Sequence, residues 1–100
     1  MIIKKISIII PCYNEENTIR KVIEKVKQYK KYEIEIIIIN DGSTDGSNKI
    51  LDDIKDENII ILKHKINSGK GKAIQTGVRI ASGDIVIIQD ADLEYSPKDF

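Results

Sequence analysis

Four short aliphatic runs, at residues 6–10, 34–39, 59–62 and 85–88, alternate along the chain with three amphipathic stretches. That alternation predicts repeated strand–helix units and a mostly parallel sheet, the α/β class. The runs are nearly unbroken in isoleucine, valine and leucine, as expected of strands buried on both faces. Between the first two, Ile19, Val22, Ile23, Val26 and Tyr29 recur at the spacing of one helical face. Asn14 is the predicted N-cap of that helix, and Glu15 and Glu16 suit the positive end of its dipole. Ile50, Leu51 and Ile54 predict a shorter second helix. Over 70–81, Ala73, Gly77 and Ala81 fall four residues apart, with Ile74, Val78 and Ile80 nearby. Small residues at that spacing let a helix lie close to a sheet, and Gly83 is expected to end it in a left-handed turn.

The polar residues are placed in phase with this pattern. Pro11 to Glu15 follow the first run, Asn40 to Asp45 the second, and Asp90 to Glu94 the fourth. In open parallel sheets ligands bind beyond the carboxyl ends of the strands. Three clusters at that level point to one binding site more strongly than any one alone.

Each cluster carries specific chemistry and has a plainer explanation. In Gln89-Asp90-Ala91-Asp92-Leu93-Glu94-Tyr95, carboxylates at i and i+2 lie on one side of an extended backbone. A hard divalent cation takes such an oxygen pair and leaves its other positions to water and phosphate. Glu94 repeats the spacing as a candidate third ligand. The plainer reading is an acidic turn solvating a strand end. In the second cluster, Asp41 is the first carboxylate after its strand, suited to accept from a base N–H or a ribose hydroxyl, and Gly42 permits a close approach. Asn40, Ser43 and Thr44 read equally well as turn formers. Neither cluster completes the twelve-residue loop of an EF-hand. The stretch Asn67-Ser68-Gly69-Lys70-Gly71-Lys72-Ala73 offers free amides and lysines to an anionic diphosphate at a helix start. It is neither a Walker A loop nor a Gly-x-Gly-x-x-Gly turn, and a solvated loop is its plainer reading. His64, the only histidine, reads as structural or solvated, and Tyr13 as a base-stacking or simply packed ring.

Composition narrows the classes. With 100 residues the chain forms one domain rather than two. Lysine plus arginine and aspartate plus glutamate both number 16, which argues against a basic nucleic-acid-binding face and against a disordered acidic tail. Cys12 is the only cysteine, so no intrachain disulfide forms, and it reads as a small buried side chain. No apolar run reaches the length of a signal peptide core or a membrane span, so the expected location of this segment is the cytoplasm. The final Ser96-Pro97-Lys98-Asp99-Phe100 reads as a helix start without its helix, so the chain is expected to be the first part of a longer protein.

Taken in order, IPCYNEE, INDGSTDGS, NSGKGKA, ASGDIVIIQDADLEY and the SP after it resemble the inverting family-2 glycosyltransferases of the GT-A fold. The likeness is greatest to the branch of dolichyl-phosphate mannose synthases and bacterial polyprenyl-phosphate glycosyltransferases, and it covers essentially the whole chain. It implies a Rossmann-like nucleotide-binding half with strand order 3-2-1-4 and helices on both faces, with 1–100 as a single nucleotide-sugar-binding domain. Pro11, Tyr13 and Glu15 match the family's nucleoside-contacting segment, and Asp41 matches the aspartate that reads the base. Asp90 and Asp92 match the Asp-x-Asp that holds Mg²⁺ or Mn²⁺ and carries catalysis, with Asp90 also near the ribose. Gly71 and Lys72 fall in the loop that resembles the family's lysine-glycine loop, without fixing which lysine faces the phosphate. Glu94 stands where the lipid-phosphate branch often has Gln, either as a ligand or as the mark of another subgroup.

The implied donor is a GDP- or UDP-sugar and the implied acceptor a polyprenyl or dolichyl phosphate, with membrane association in a full-length protein. The acceptor-orienting half lies outside these residues, so this piece is expected to hold a donor rather than to complete a transfer. An open sheet edge also makes pairing with a second copy an expectation. Two other readings stand beside this one. The first is a non-catalytic nucleotide-binding or structural module. The second is a nucleotidyltransferase, which would carry a basic glycine-rich loop where Cys12-Tyr13-Asn14-Glu15 stand.

Overall fold

The computed structural model describes residues 2–92. Strand and helix alternate throughout: β1 (Lys5–Cys12), α1 (Ile19–Lys27), β2 (Glu33–Asp41), α2 (Ser47–Asp52), β3 (Ile59–His64), α3 (Lys70–Ile80) and β4 (Ile85–Ile88). All pairings are parallel and the strand order is β3-β2-β1-β4, the order implied by the resemblance. Ile8 lies opposite both Ile36 and Ile87, so β1 runs through the middle of the sheet.

The period-two geometry of a strand sorts the isoleucines onto two cores. Ile8, Ile10, Ile36 and Ile38 face α1 and α2, where they meet Ile19, Val22, Ile23, Val26 and Leu51. Ile9, Ile37 and Ile39 face the other way and pack with Ala73, flanked by Ile60, Leu62 and Ala81. Helices therefore cover both faces. Gly77 brings α3 close to the sheet, since a Cβ there would stand 2.8 Å from Ile9 Cγ2.

The helix and strand limits depart from the sequence expectation in four places, each for a local reason. Asn14 does not cap α1. It holds a left-handed φ of 53° and donates from its backbone N–H to Ser43 Oγ at 3.0 Å, while α1 begins after Thr18. Tyr29 falls beyond the end of α1 and is exposed. Gly83 does not end α3 in a left-handed turn, because Ala81 already continues in extended backbone. Gly83 is needed instead where the chain passes β1, since a Cβ on it would lie 2.6 Å from the Ser7 N. Finally, β4 is not buried on both faces: Val86, Ile87 and Ile88 are 39%, 42% and 40% exposed. It pairs on one edge only, with β1, among the described residues.

A polar knot closes the amino-terminal end of the sheet. Ser7 Oγ donates to Glu35 Oε2 at 2.6 Å and accepts from the Gly83 N–H at 2.8 Å. Ser82 donates to the same carboxylate through its N–H and its hydroxyl, both at 3.0 Å. The Lys4 and Lys5 N–H groups both bond Asp84 Oδ2. No helix among the described residues is long and apolar enough to cross a membrane.

Candidate functional site

The opposite, carboxyl-terminal end of the sheet carries the polar clusters, and the fold gathers them around one cavity of about 620 Å³. Its lining includes Pro11, Tyr13 and Glu15 after β1, Asp41 at the end of β2, Lys70 at the start of α3, and Asp90 and Asp92 after β4. That volume lies within the range that holds nucleotide-sized ligands.

The loops hold one another in place. Thr44 N–H donates to Asn14 Oδ1 at 2.7 Å, and Glu15 N–H donates to Ser47 Oγ at 3.0 Å, so the segment after β1 is laced to the one after β2. Asn40, Ser43 and Asn48 bond among themselves and form the turn that the plainer reading expected. Gly42 has a φ of 72°, and a Cβ on it would collide with the Asn67 N, so only glycine lets residues 66–67 cross there. Cys12 is buried, and burial pushes its thiol up to about 11, the state of an inert packing residue.

Asp41 is almost enclosed, with its side chain 4% exposed. Burial by itself would raise its pKa. Bonds from His64, from the Ser68 N–H and from the Gly69 N–H outweigh that and hold the carboxyl below its ordinary range. His64 Nδ1 lies 2.7 Å from Asp41 Oδ1, and Nε2 lies 3.0 Å from Thr76 Oγ1. Sequence reasoning missed this pair. The signal was present in strand register, because aligning Ile36 with Ile59 sets Asp41 opposite His64.

Ala91 explains how the two acidic residues are aimed. Its side chain is buried in the core beside α1, and its carbonyl accepts from Thr18 Oγ1 at 2.7 Å. With the middle residue anchored inward, Asp90 and Asp92 both reach the cavity. Lys70 Nζ lies 2.5 Å from Asp90 Oδ1. Asp92 Oδ1 is buried and has no hydrogen-bond partner among the described residues, which is costly for a carboxylate oxygen unless something else satisfies it. No group of three or more His, Cys, Asp or Glu side chains that could hold a metal ion occurs among the described residues. A two-carboxylate site nonetheless suits Mg²⁺ or Mn²⁺, which draw remaining ligands from water and phosphate, and the orphaned oxygen fits such an ion.

Of the candidate loop residues, Lys70 lines the cavity, whereas Gly71 and Lys72 are exposed on the first turn of α3 and are not among its lining. The helix turns them away from the strand ends one residue after Lys70. Glu94 lies outside the described residues, as does the 96–100 segment.

Residues 7–100 match Glycosyl transferase family 2, and the chain belongs to that family. It is 39% identical over 97% of its length to an undecaprenyl-phosphate 4-deoxy-4-formamido-L-arabinose transferase of Proteus mirabilis, covering 32% of that protein. A dolichyl-phosphate beta-glucosyltransferase of Trichomonas vaginalis is 34% identical over 95% of the chain, again with 32% of the relative covered. The chain thus spans about a third of the length of these relatives. Among solved structures, a mannosyltransferase of Pyrobaculum calidifontis in complex with GDP-Man and Mn²⁺ superposes with a TM-score of 0.79 at 27% identity, over 94% of this chain and 29% of that one. S. aureus TarS 1-349 in complex with UDP gives 0.78 at 29% identity, over 88% and 27%. These neighbours are GT-A glycosyltransferases, which agrees with the fold class expected from the sequence.

Proposed function

We propose that this chain is the donor-binding part of a glycosyltransferase that moves a sugar from a nucleoside diphosphate to a polyprenyl phosphate with inversion. The observation that carries the reading is Asp92 Oδ1, buried beside Asp90 and without a partner among the described residues, in a cavity shared with Asp41 and Lys70. The family membership and the lipid-phosphate relatives support the same substrate classes.

In this reading Asp41 accepts from the base, and the segment of Pro11, Tyr13 and Glu15 flanks the nucleoside. Asp90 and Asp92 hold Mg²⁺ or Mn²⁺. When bound, the ion supplies positive charge against the departing diphosphate. Lys70, now on Asp90, stands near enough to the same carboxylates to take a phosphate oxygen when the nucleotide enters. The acceptor oxygen attacks C1 of the sugar from the face opposite the diphosphate. A polyprenyl phosphate brings its own anionic oxygen, so little demand falls on a protein base.

Calorimetry of UDP and GDP with and without Mn²⁺, on the wild type and on Asp92→Ala, tests the reading. Metal-dependent binding lost in the variant is expected. Binding that ignores both the metal and the substitution would overturn it. A second reading, a non-catalytic structural module, is favoured if neither nucleotide binds under any condition.

A further inference from the structure

The surroundings of Asp41 do more than hold a carboxylate near a base, and their consequence for base choice rests on the donor-site reading. An ionised carboxylate only accepts, at about four lone-pair positions. His64 Nδ1 and the Ser68 N–H both sit on Oδ1, at 2.7 and 2.9 Å, and the Gly69 N–H sits on Oδ2 at 2.9 Å. Oδ1 is therefore filled, and one position is left, on Oδ2.

His64 fixes that arrangement. Facing an acceptor-only oxygen, its Nδ1 must carry the proton. The far side of the ring meets Thr76 Oγ1 at 3.0 Å, and the one Thr76 hydroxyl proton goes either to Nε2 of the neutral ring or to the Lys72 carbonyl at 3.1 Å. The ring is mostly enclosed, with 17% of its side chain exposed, and it projects from the last residue of β3, directly across the ladder from Asp41. Rotating Asp41 to free both oxygens would break bonds to β3 and to the loop before α3 together.

Base edges differ in how many acceptors they ask for. Uracil and thymine present a single N3–H between two carbonyl oxygens, so one acceptor suffices and a second free carboxylate oxygen would be repelled. Guanine presents two adjacent donors, N1–H and the N2 amino group, which match both oxygens of a carboxylate. Cytosine and adenine present an unprotonated ring nitrogen, which a carboxylate repels.

We propose that His64 is a specificity-determining residue: by filling Oδ1 of Asp41 it leaves one acceptor and directs the pocket to nucleotides with a single imide N–H, the uridine and thymidine diphosphates, over guanosine diphosphate. An unmade hydrogen bond in a buried site carries a penalty that corresponds to about tenfold or more in affinity.

The test is calorimetry of the full chain with UDP, dTDP, GDP and CDP in Mn²⁺, repeated on His64→Asn and His64→Gln. Asn keeps a donor near the position of Nδ1, whereas Gln offers one only near Nε2. UDP and dTDP are expected to bind at least about tenfold tighter than GDP or CDP. That ratio should persist in His64→Asn and shrink in His64→Gln, with both variants checked for cooperative melting. GDP binding as tightly as UDP overturns the proposal while leaving the donor-site reading intact. A uniform loss of affinity for all four in both variants also overturns it, because it marks His64 as a strut without influence on base choice. Absence of binding by every nucleotide overturns the donor-site reading and this inference with it.

Discussion

Lys70, the first residue of α3, places its ammonium 2.5 Å from Asp90 Oδ1, the first carboxylate after β4. The two side chains are 59% and 37% exposed, so the pair contributes less than about 1 kcal/mol to folding. Its use lies in binding. Lys70→Met should leave the melting temperature within a few degrees, roughly as such a pair allows, yet weaken Mn²⁺-dependent UDP binding about tenfold. Calorimetry and thermal melting check this together. A large stability loss with unchanged affinity would make Lys70 a structural tie.

Gly77 and Ile9 form a second coupled pair. Alanine in a helix interior gains about 1 kcal/mol over glycine, but here its methyl would meet the fully buried Ile9 at 2.8 Å. Overpacking of that kind costs about 1–3 kcal/mol, so Gly77→Ala should destabilise. In an Ile9→Ala background the obstruction is gone and the same change should stabilise. Urea unfolding of the four proteins in the cycle reads the reversal of sign.

Cys12 should be silent to thiol reagents in the folded protein. Burial raises its thiol to about 11, so at pH 8 it is protonated as well as inaccessible. Ellman's reagent is expected to label it only as fast as the chain unfolds, with labelling accelerating through the urea transition. Rapid labelling in buffer would show that the loop after β1 opens far more readily than its hydrogen bonds suggest.

Acid should loosen both ends of the sheet. Asp41 and Glu35 are each pushed up by burial and pulled down further by hydrogen bonds, so both have lowered folded-state pKa values. A lowered carboxylate contributes stability that is complete above its unfolded value, ~4, and is lost as pH falls through the folded value. Melting temperature should therefore hold near neutrality and drop steeply below about pH 4. Glu35→Ala should cost about 2 kcal/mol at neutral pH and flatten the acid limb. An unchanged acid limb would mean that the Ser7, Ser82 and Glu35 knot contributes little.

The strands and the site level were legible because both rest on short-range pattern. Runs of β-branched residues fixed β1 to β4, and the polar clusters at their carboxyl ends marked the cavity before any contact was known. Limits that depend on tertiary neighbours were not legible. Asn14 looks like a cap until the Ser43–Thr44 loop arrives to claim it, and Gly83 looks like a helix stop until Ser7 is beside it. The aliphatic run of β4 signals burial, yet among the described residues it lies at an edge and is half open. His64 carried no local signal, since its meaning comes from a residue 23 positions earlier in the next strand.

The central position of β1 also dictates the order in which the chain can assemble. Lys5 and Asp84, 79 residues apart, must meet before the β1–β4 ladder exists, and closing so long a loop is slow to be repaid by contacts. On a ribosome the first strand emerges early and then waits, paired with β2 on one edge while the other stays bare. Asp90 and Asp92 come directly after β4, so their side of the cavity forms only when β4 docks. Pulsed hydrogen exchange should accordingly protect β1 and β2 amides first and the Asp84 and Gln89 amides, which bond β1 carbonyls, last.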